Sequence, residues 1–423
     1  MPASRAVGID FGTTNSVLAL SEGVGEPHIV PFGDAATFRS LLCFYTEQNE
    51  RGHKRVVGVA GPEAIATYEL HGGECRLIQS VKNFVADDSF RETTVYGQRF
   101  RIEDLVGVIL KQLRAGAEKG CGDLGHAVVS GRPVQFAGSE ANEELALKRL
   151  TLAYNQAGFS DVRFVEEPLA AADFHLRGLQ ENALCLIADL GGGTSDFSLV
   201  QLIQSPEGPR RRTIGHAGIG VAGDVFDFRI IQNAVSPKLG KDSFYKSFAK
   251  RLPVPGAAYN KFQRWSELSM LRGSQTLRDL KDIRKTAEDA EGVAQLIYII
   301  ENELGLQLYR AVGHTKASLS TAEHSDFRFR SGPVEIESSI SRTTFESWIA
   351  QDIAAIMAVV DRLFTDTKTD FAAVDRVFMT GGTSFVPAVR RAFDQRFQSA
   401  EVITGDEFVS VAAGLALNGR ARS

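Results

Sequence analysis

Two stretches of this chain repeat one another, and that repeat limits the folds open to it. Residues 7–20 read Val-Gly-Ile-Asp-Phe-Gly-Thr-Thr-Asn-Ser-Val-Leu-Ala-Leu, and residues 186–200 read Leu-Ile-Ala-Asp-Leu-Gly-Gly-Gly-Thr-Ser-Asp-Phe-Ser-Leu-Val. Each is an apolar strand ending in Asp, then an apolar residue, a Gly/Thr turn and a second apolar strand, the pattern of a β-hairpin. One copy alone reads as a plain hairpin. Two copies opening the two halves of one chain point to a duplicated domain with a ligand between the halves, where the turns face each other.

The remainder alternates strands and helices. Val128-Val129, Val162–Val165 and Arg376–Met379 read as buried strands. Glu140–Ala157 reads as a helix with Leu145, Leu150, Ala153 and Ala157 on one face, and Pro168 opens a small-residue helix through Ala170, Ala171 and Ala172. Thr343 and Glu346 form a capping-box pattern before a helix striped by Ile349, Ile353, Ile356, Val360 and Leu363. This alternation predicts α/β lobes with helices packed on sheets. At 423 residues the chain is long enough for two or three domains. Residues 236–304 break the rhythm with a mostly helical pattern interrupted at Pro253–Gly256. There Lys238, Lys241, Lys246, Lys250 and Arg251 interleave with Phe244, Tyr245 and Phe248, which reads as an amphipathic helix with a solvated basic face.

The hairpin pair carries its own chemistry. Gly12, Thr13 and Thr14, and Gly191, Gly192, Gly193 and Thr194, present successive backbone N–H groups, the makings of an anion cradle. Glycine is expected there because a Cβ would hold a phosphate away and disfavour positive φ. Each turn is preceded by a carboxylate, Asp10 or Asp189, which repels phosphate unless a cation lies between them. A Mg²⁺ ion held mainly through its waters resolves the conflict. Competing motifs fare poorly: the chain has no GxxxxGK[ST], GxSxG or HExxH string. Gly218-Ile-Gly220-Val-Ala-Gly223 matches GxGxxG literally but reads as a tight turn into a helix from Asp224, because no ribose-binding acid follows.

At these residues the chain resembles the heat-shock-70 (DnaK-type) family of the actin and sugar-kinase superfamily. The two Gly/Thr turns are similar to that family's phosphate loops. Further similarities follow in order: Glu166-Glu167-Pro168-Leu-Ala-Ala, Gly218–Arg229, Lys316-Ala-Ser-Leu-Ser320 and Gly381-Gly382-Thr383. Gly131-Arg132-Pro133-Val-Gln-Phe136 resembles the short bacterial YegD-like branch.

The resemblance implies a two-lobed actin-like ATPase fold of duplicated ribonuclease-H-like domains. Lobe I is expected over 1–178 with 406–423 packing back on it, and lobe II over 179–405 with a helical subdomain near 224–320. It implies ATP or ADP with Mg²⁺ as ligands, Asp10 and Asp189 holding the metal through waters, and potassium beside Asp196. Lys82, Glu167, Asp189 and Thr194 are the catalytic candidates. Gly12, Thr13, Thr14, Asn15, Gly191, Gly192, Gly193, Thr194, Lys316, Ser320, Gly381, Gly382, Phe385 and Asp406 are the nucleotide-binding candidates.

The departures matter too. The family's polar adenosine clamp reads here as Gly313, Lys316, Ala317 and Phe385, so weaker adenine selectivity is expected. The family's peptide-binding domain would follow where this sequence ends, so a slow ATPase without that domain is the leading expectation, working as a chaperone or chaperone-like regulator. A nucleotide-sensing module with little turnover and a small-molecule kinase are the alternatives. A protein partner is left open. The net charge of −5 gives no general attraction to nucleic acid or anionic membrane. No uncharged apolar run nears the ~20 residues that span a bilayer. The four cysteines form no close pair in sequence and the N-terminus has no apolar leader segment, which together suggest a reduced, cytoplasmic setting.

Overall fold

In a computed structural model of the chain, the described residues are 5–23, 25–48, 52, 54–71, 74–138, 140–175, 181–205, 210–248, 250–263, 268, 271–404 and 409–420. The repeated hairpins each seed a sheet. In the first, strands run in the order Asp161–Glu166, Ala127–Arg132, Arg5–Phe11, Asn15–Glu22 and His28–Ile29, with Phe38–Arg39 also pairing on Asn15–Glu22. In the second, the order is Glu401–Thr404, Arg376–Thr380, Ala183–Leu190, Ser195–Ile203 and Arg210–Ile219. Position by position the two sheets share one plan. The hairpin's first strand is antiparallel to its second and parallel to the strand on its other side. Phe11 pairs with Ser16 and Leu190 with Ser195, so residues 12–15 and 191–194 are equivalent turns. The duplication read from the sequence is therefore a duplication of topology.

Val7, Ile9, Phe11, Val17, Leu18, Ala19 and Leu20 are all buried, which requires cover on both faces of the first sheet. One face meets the helices Ile102–Cys121 and Glu143–Gln156 through Leu105, Ile109, Leu113, Leu150 and Tyr154. Asn142 caps the second of these, its Oδ1 accepting from Leu145 N at 3.0 Å, so the helix starts after Glu140. The other face meets the helix Val409–Arg420. A Cβ on Gly8 would lie 2.3 Å from Ala416 N. A Cβ on Gly414 would lie 1.8 Å from the carbonyl oxygen of Ala170. The helices Glu167–His175 and Val409–Arg420 thus cross backbone against backbone, which only glycine and alanine permit. Ala170, Ala171, Ala172, Val411 and Leu415 join Cys185, Ile187, Val200 and Phe378 of the second sheet in one apolar cluster. The same helices therefore tie the two sheets together.

Several expectations need correcting. The helix Arg342–Thr367 carries the predicted stripe, with Ile349, Ile356, Val360 and Leu363 buried and Ile353 half-buried. Its cap is Ser341, however, whose Oγ accepts from Thr344 N at 3.0 Å, because the preceding strand Val334–Ser341 leaves Ser341 extended at the junction. Glu346 instead accepts from Arg391 at 2.6 Å. Residues 236–304 are not uniformly helical. The basic-aromatic stretch is a β-hairpin, Phe244–Ser247 with Lys250–Pro253. Pro253 cannot sit inside a helix, and the Arg251 guanidinium lies 3.6 Å from the Phe244 ring centroid while pairing with Glu288. The helices of this region are Gln275–Arg284 and Ala290–Glu301, with the short turn Ala257–Asn260. The cysteines, distant in sequence, are not all distant in space: Cys43 and Cys75 are buried neighbours that interact through their thiols. Among the described residues no helix is long and apolar enough to cross a membrane.

His175 ends the first crossing helix, stacked on Phe378 at 4.4 Å between ring centroids, and burial pulls its pKa down to about 4. The folded state resists the proton that the unfolded chain accepts below the ordinary histidine pKa near 6.5. The stability His175 contributes is therefore complete above pH 6.5 and is lost as pH falls toward 4. Urea titrations at pH 7 and pH 5 should show a smaller acid loss for His175→Phe than for the wild type.

Candidate functional site

A cleft of about 730 Å³ opens between the two sheets. Thr13, Thr14 and Asn15 line it from the first turn, and Gly191 and Gly192 from the second. Lys316, Ser320, Gly382 and Phe385 line it farther along. The two turns face each other closely: a Cβ on Gly192 would lie 3.3 Å from Thr14 Oγ1 and 3.1 Å from Asp224 Oδ1. This close approach, rather than positive φ, is what favours glycine at 192, since a Cβ there would push the Thr14 and Asp224 side chains aside by a few tenths of an ångström. Gly12, Gly191, Gly192 and Gly193 all have ordinary backbone angles, and at Gly12 a Cβ would instead strike the carbonyl oxygen of Asn15 at 2.2 Å.

The second turn is held from below. Gly191 N donates to Thr194 O at 3.0 Å, closing the turn, so that amide is not free for a phosphate. The carbonyls of Gly191 and Gly192 accept from Gly223 N and Asp224 N, at the start of the helix Gly223–Ile230, and Thr383 Oγ1 donates to Gly191 O at 2.7 Å. With both carbonyls turned away, the N–H groups of Gly192 and Gly193 are left without a backbone acceptor among the described residues. The literal GxGxxG stretch is the bend feeding this helix, between strand Arg210–Ile219 and Gly223. Gly381 has φ of 82°, and a Cβ there would meet Leu190 O at 2.3 Å, so it brings the Gly382–Phe385 turn against the second loop.

Behind the loops lies a charged cluster. Lys82 Nζ donates to Glu167 Oε1 at 2.7 Å, both side chains being largely buried. Lys82 sits on the short helical turn Val81–Phe84, and Glu167 opens the first crossing helix. A Cβ on Gly131 would lie 2.9 Å from Glu167 Cγ, so that glycine makes room for the carboxylate. Burial pushes Asp10 up to about 8, helped by Glu167 and Asp189 and opposed by Lys82. Burial pushes Asp189 up to about 7, helped by Asp196 and Glu167, against a hydrogen bond from Thr380 at 3.2 Å. For Lys82, burial pulls downward, but Glu167 and Asp10 overcome it and the net direction is up. Asp196 accepts from Thr194 Oγ1 at 2.8 Å and is raised by burial. Three enclosed carboxylates thus share one ammonium, an excess of negative charge built from hard oxygen donors, which suits Mg²⁺. Among the described residues no three His, Cys, Asp or Glu side chains converge to coordinate an ion directly. A cation here would keep its waters.

At the far end of the cleft, Lys316 Nζ reaches Asp227 Oδ2 at 2.9 Å and Gly223 O at 3.0 Å. Burial raises Asp227 to about 6 against the pull of Lys316, and its Oδ1 is buried without a partner among the described residues. Gly313 and Ala317 line the same wall, a Cβ on Gly313 would meet open space, and Phe385 presents an exposed ring.

The Hsp70 protein family matches the chain over residues 6–238 and 295–422. The chain belongs to the Hsp70 family. That membership agrees with the two-lobed fold and makes the chain an Hsp70-like ATP-binding protein, of a family that in general binds ATP or ADP with Mg²⁺. The stretch between the two matched segments contains the basic-aromatic hairpin.

Of the residues singled out in the sequence, Lys82, Glu167, Asp10 and Asp189 come together behind the turns. Gly12, Gly193, Thr194, Gly381 and Asp196 do not line the cleft, and Asp406 lies outside the described residues. Sequence reasoning missed Arg39, Asp224, Asp227, Tyr309 and Arg310, all of which line the cleft. Asp224 and Asp227 lay within the noted Gly218–Arg229 segment, where their spacing of three on one helix was the available signal. Arg39 and Arg310 had none.

Proposed function

We propose that this protein closes its two lobes on MgATP and hydrolyses it slowly, using the closed state to signal to a protein partner. The observation that carries the reading is the approach of the two turns, one per sheet, with the Lys82–Glu167 pair enclosed behind them. One polyphosphate could take N–H donors from both sides, and a ligand touching both lobes favours the closed arrangement. Lobe I would comprise 1–178 with 406–423, and lobe II 179–405 with a subdomain near 224–320. Asp10 and Asp189 would hold Mg²⁺ through its waters, and Asp196 would sit beside potassium. The magnesium would supply charge neutralisation along the phosphates. Asp189 would orient the attacking water, Glu167 would keep Lys82 in place, and Lys82 would meet charge developing on the γ-phosphoryl oxygens. Steady-state phosphate release from MgATP, abolished by EDTA, is the expected result; a protein that binds MgATP without turnover would leave only the sensing module.

Base recognition should be loose. Gly313, Ala317 and Phe385 offer no charged donors to adenine, and each such bond would be worth roughly 1.5–3 kcal/mol. Calorimetry should find ATP and GTP binding within about tenfold of each other. Phe385→Ala should weaken both alike, because an aromatic face stacks on any purine.

A further inference from the structure

Arg39 is an arginine in search of an anion. It ends the short strand Phe38–Arg39, paired across from Asn15, and it lines the cleft beside the first turn. Its side chain stays open to the cleft. Its one hydrogen bond, Nη1 to Asn15 Oδ1, is long at 3.2 Å, and no carboxylate pairs with it directly among the described residues. A guanidinium carries five N–H donors, so most of them remain unused. The surrounding charges do not settle it. Desolvation by its surroundings draws its pKa down, Asp224 and Asp227 pull it up, and Arg310 repels it and adds to the fall. Asp227 is already bonded to Lys316, and Arg310 to Glu69. A guanidinium that lines the cleft with most of its donors unused is placed to complete an anionic ligand there.

We propose that Arg39 is a specificity-determining residue that reads the polyphosphate of the bound nucleotide from the lobe I side of the cleft. The inference rests on the nucleotide reading of this site. Planar, bidentate donation to phosphate oxygens is what a guanidinium does best. It would move selectivity away from the base, where the polar clamp is reduced to Lys316, and onto the number of phosphates. The competing role is a latch: Arg39 pairs with Asp224 when the lobes close, whatever ligand is present.

Calorimetry with ATP, ADP and adenosine on the full chain separates these. Arg39→Ala is expected to weaken ATP and ADP by about 10- to 100-fold, the range for a lost hydrogen bond to a charged group, and to change adenosine less than about threefold. Arg39→Gln, which can still donate to Asn15, should lose nearly as much as alanine. Rescue by glutamine would show that Arg39 only positions Asn15 and would overturn the proposal. So would an equal loss for adenosine and ATP that Asp224→Asn reproduces, which is the latch outcome, or an unchanged ATP affinity. Unaltered circular dichroism and melting temperature guard against misfolding. If the wild type itself binds no nucleotide, the proposed function fails rather than the role of Arg39.

Discussion

Replacing Lys82 by alanine should lower ATP hydrolysis by about 100-fold or more while leaving MgATP binding measurable. The size follows from removing an enclosed charge that stabilises the transition state more than the ground state. Lys82 is held by Glu167 at 2.7 Å, inside protein and away from competing water. Glu167→Gln keeps the shape but weakens that grip, and should produce a smaller loss of the same kind. Asp189→Asn should resemble Lys82→Ala, since Asp189 is the enclosed carboxylate at the end of the second hairpin's first strand. Single-turnover phosphate release beside nucleotide titration gives both numbers. Hydrolysis at the wild-type rate by Lys82→Ala would remove the lysine from the mechanism.

The second large effect is structural. Gly414→Ala should destabilise the protein by about 3 kcal/mol or more, because the new methyl would stand 1.8 Å from the Ala170 carbonyl oxygen. Neither side can yield: both contacts are helix backbone, and the two helices also join the sheets. The paired control is Gly313→Ala in the helix Gly305–Thr321, where the added Cβ meets open space. There alanine should raise stability by up to about 1 kcal/mol through helix propensity alone. Urea unfolding followed by circular dichroism would show the opposite signs. If both substitutions behaved alike, the crossing would not be the tight joint that holds the sheets together.

Much of this was legible beforehand because strand pairing and turn chemistry are local. The echo at residues 7–20 and 186–200 announced two hairpins, and a hairpin's register follows from its own turn. The small-residue helix through Ala170–Ala172 was legible, while its backbone-to-backbone crossing with Val409–Arg420 at Gly414 was decided by tertiary packing. The hairpin at 244–253 was illegible because its lysines and aromatics suit a helix face as well as a strand. What decided it was Pro253 and the packing of Arg251 on Phe244 and Glu288. The cap at Ser341 rather than at Thr343 depended on where the preceding strand ended.

The site divides the same way. Asp10, Asp189 and the glycine turns are visible in sequence because each hairpin carries its own carboxylate and its own N–H groups. Why those glycines are needed was not visible. At Gly192 the reason is Thr14 and Asp224 arriving from elsewhere in the chain, and at Gly381 it is the backbone of Leu190. Arg39, Arg310 and Asp227 became site residues only when a strand and two helices distant in sequence came to line one cleft. By itself the sequence determined the duplicated hairpins, the α/β class and the chemistry at each turn, because these depend on residues within reach along the chain. The tertiary structure alone decided which charges share an enclosure, and so which carboxylates rise in pKa and which arginine lines the cleft with no carboxylate paired to it among the described residues. Burial and long-range proximity have no local signature in a sequence.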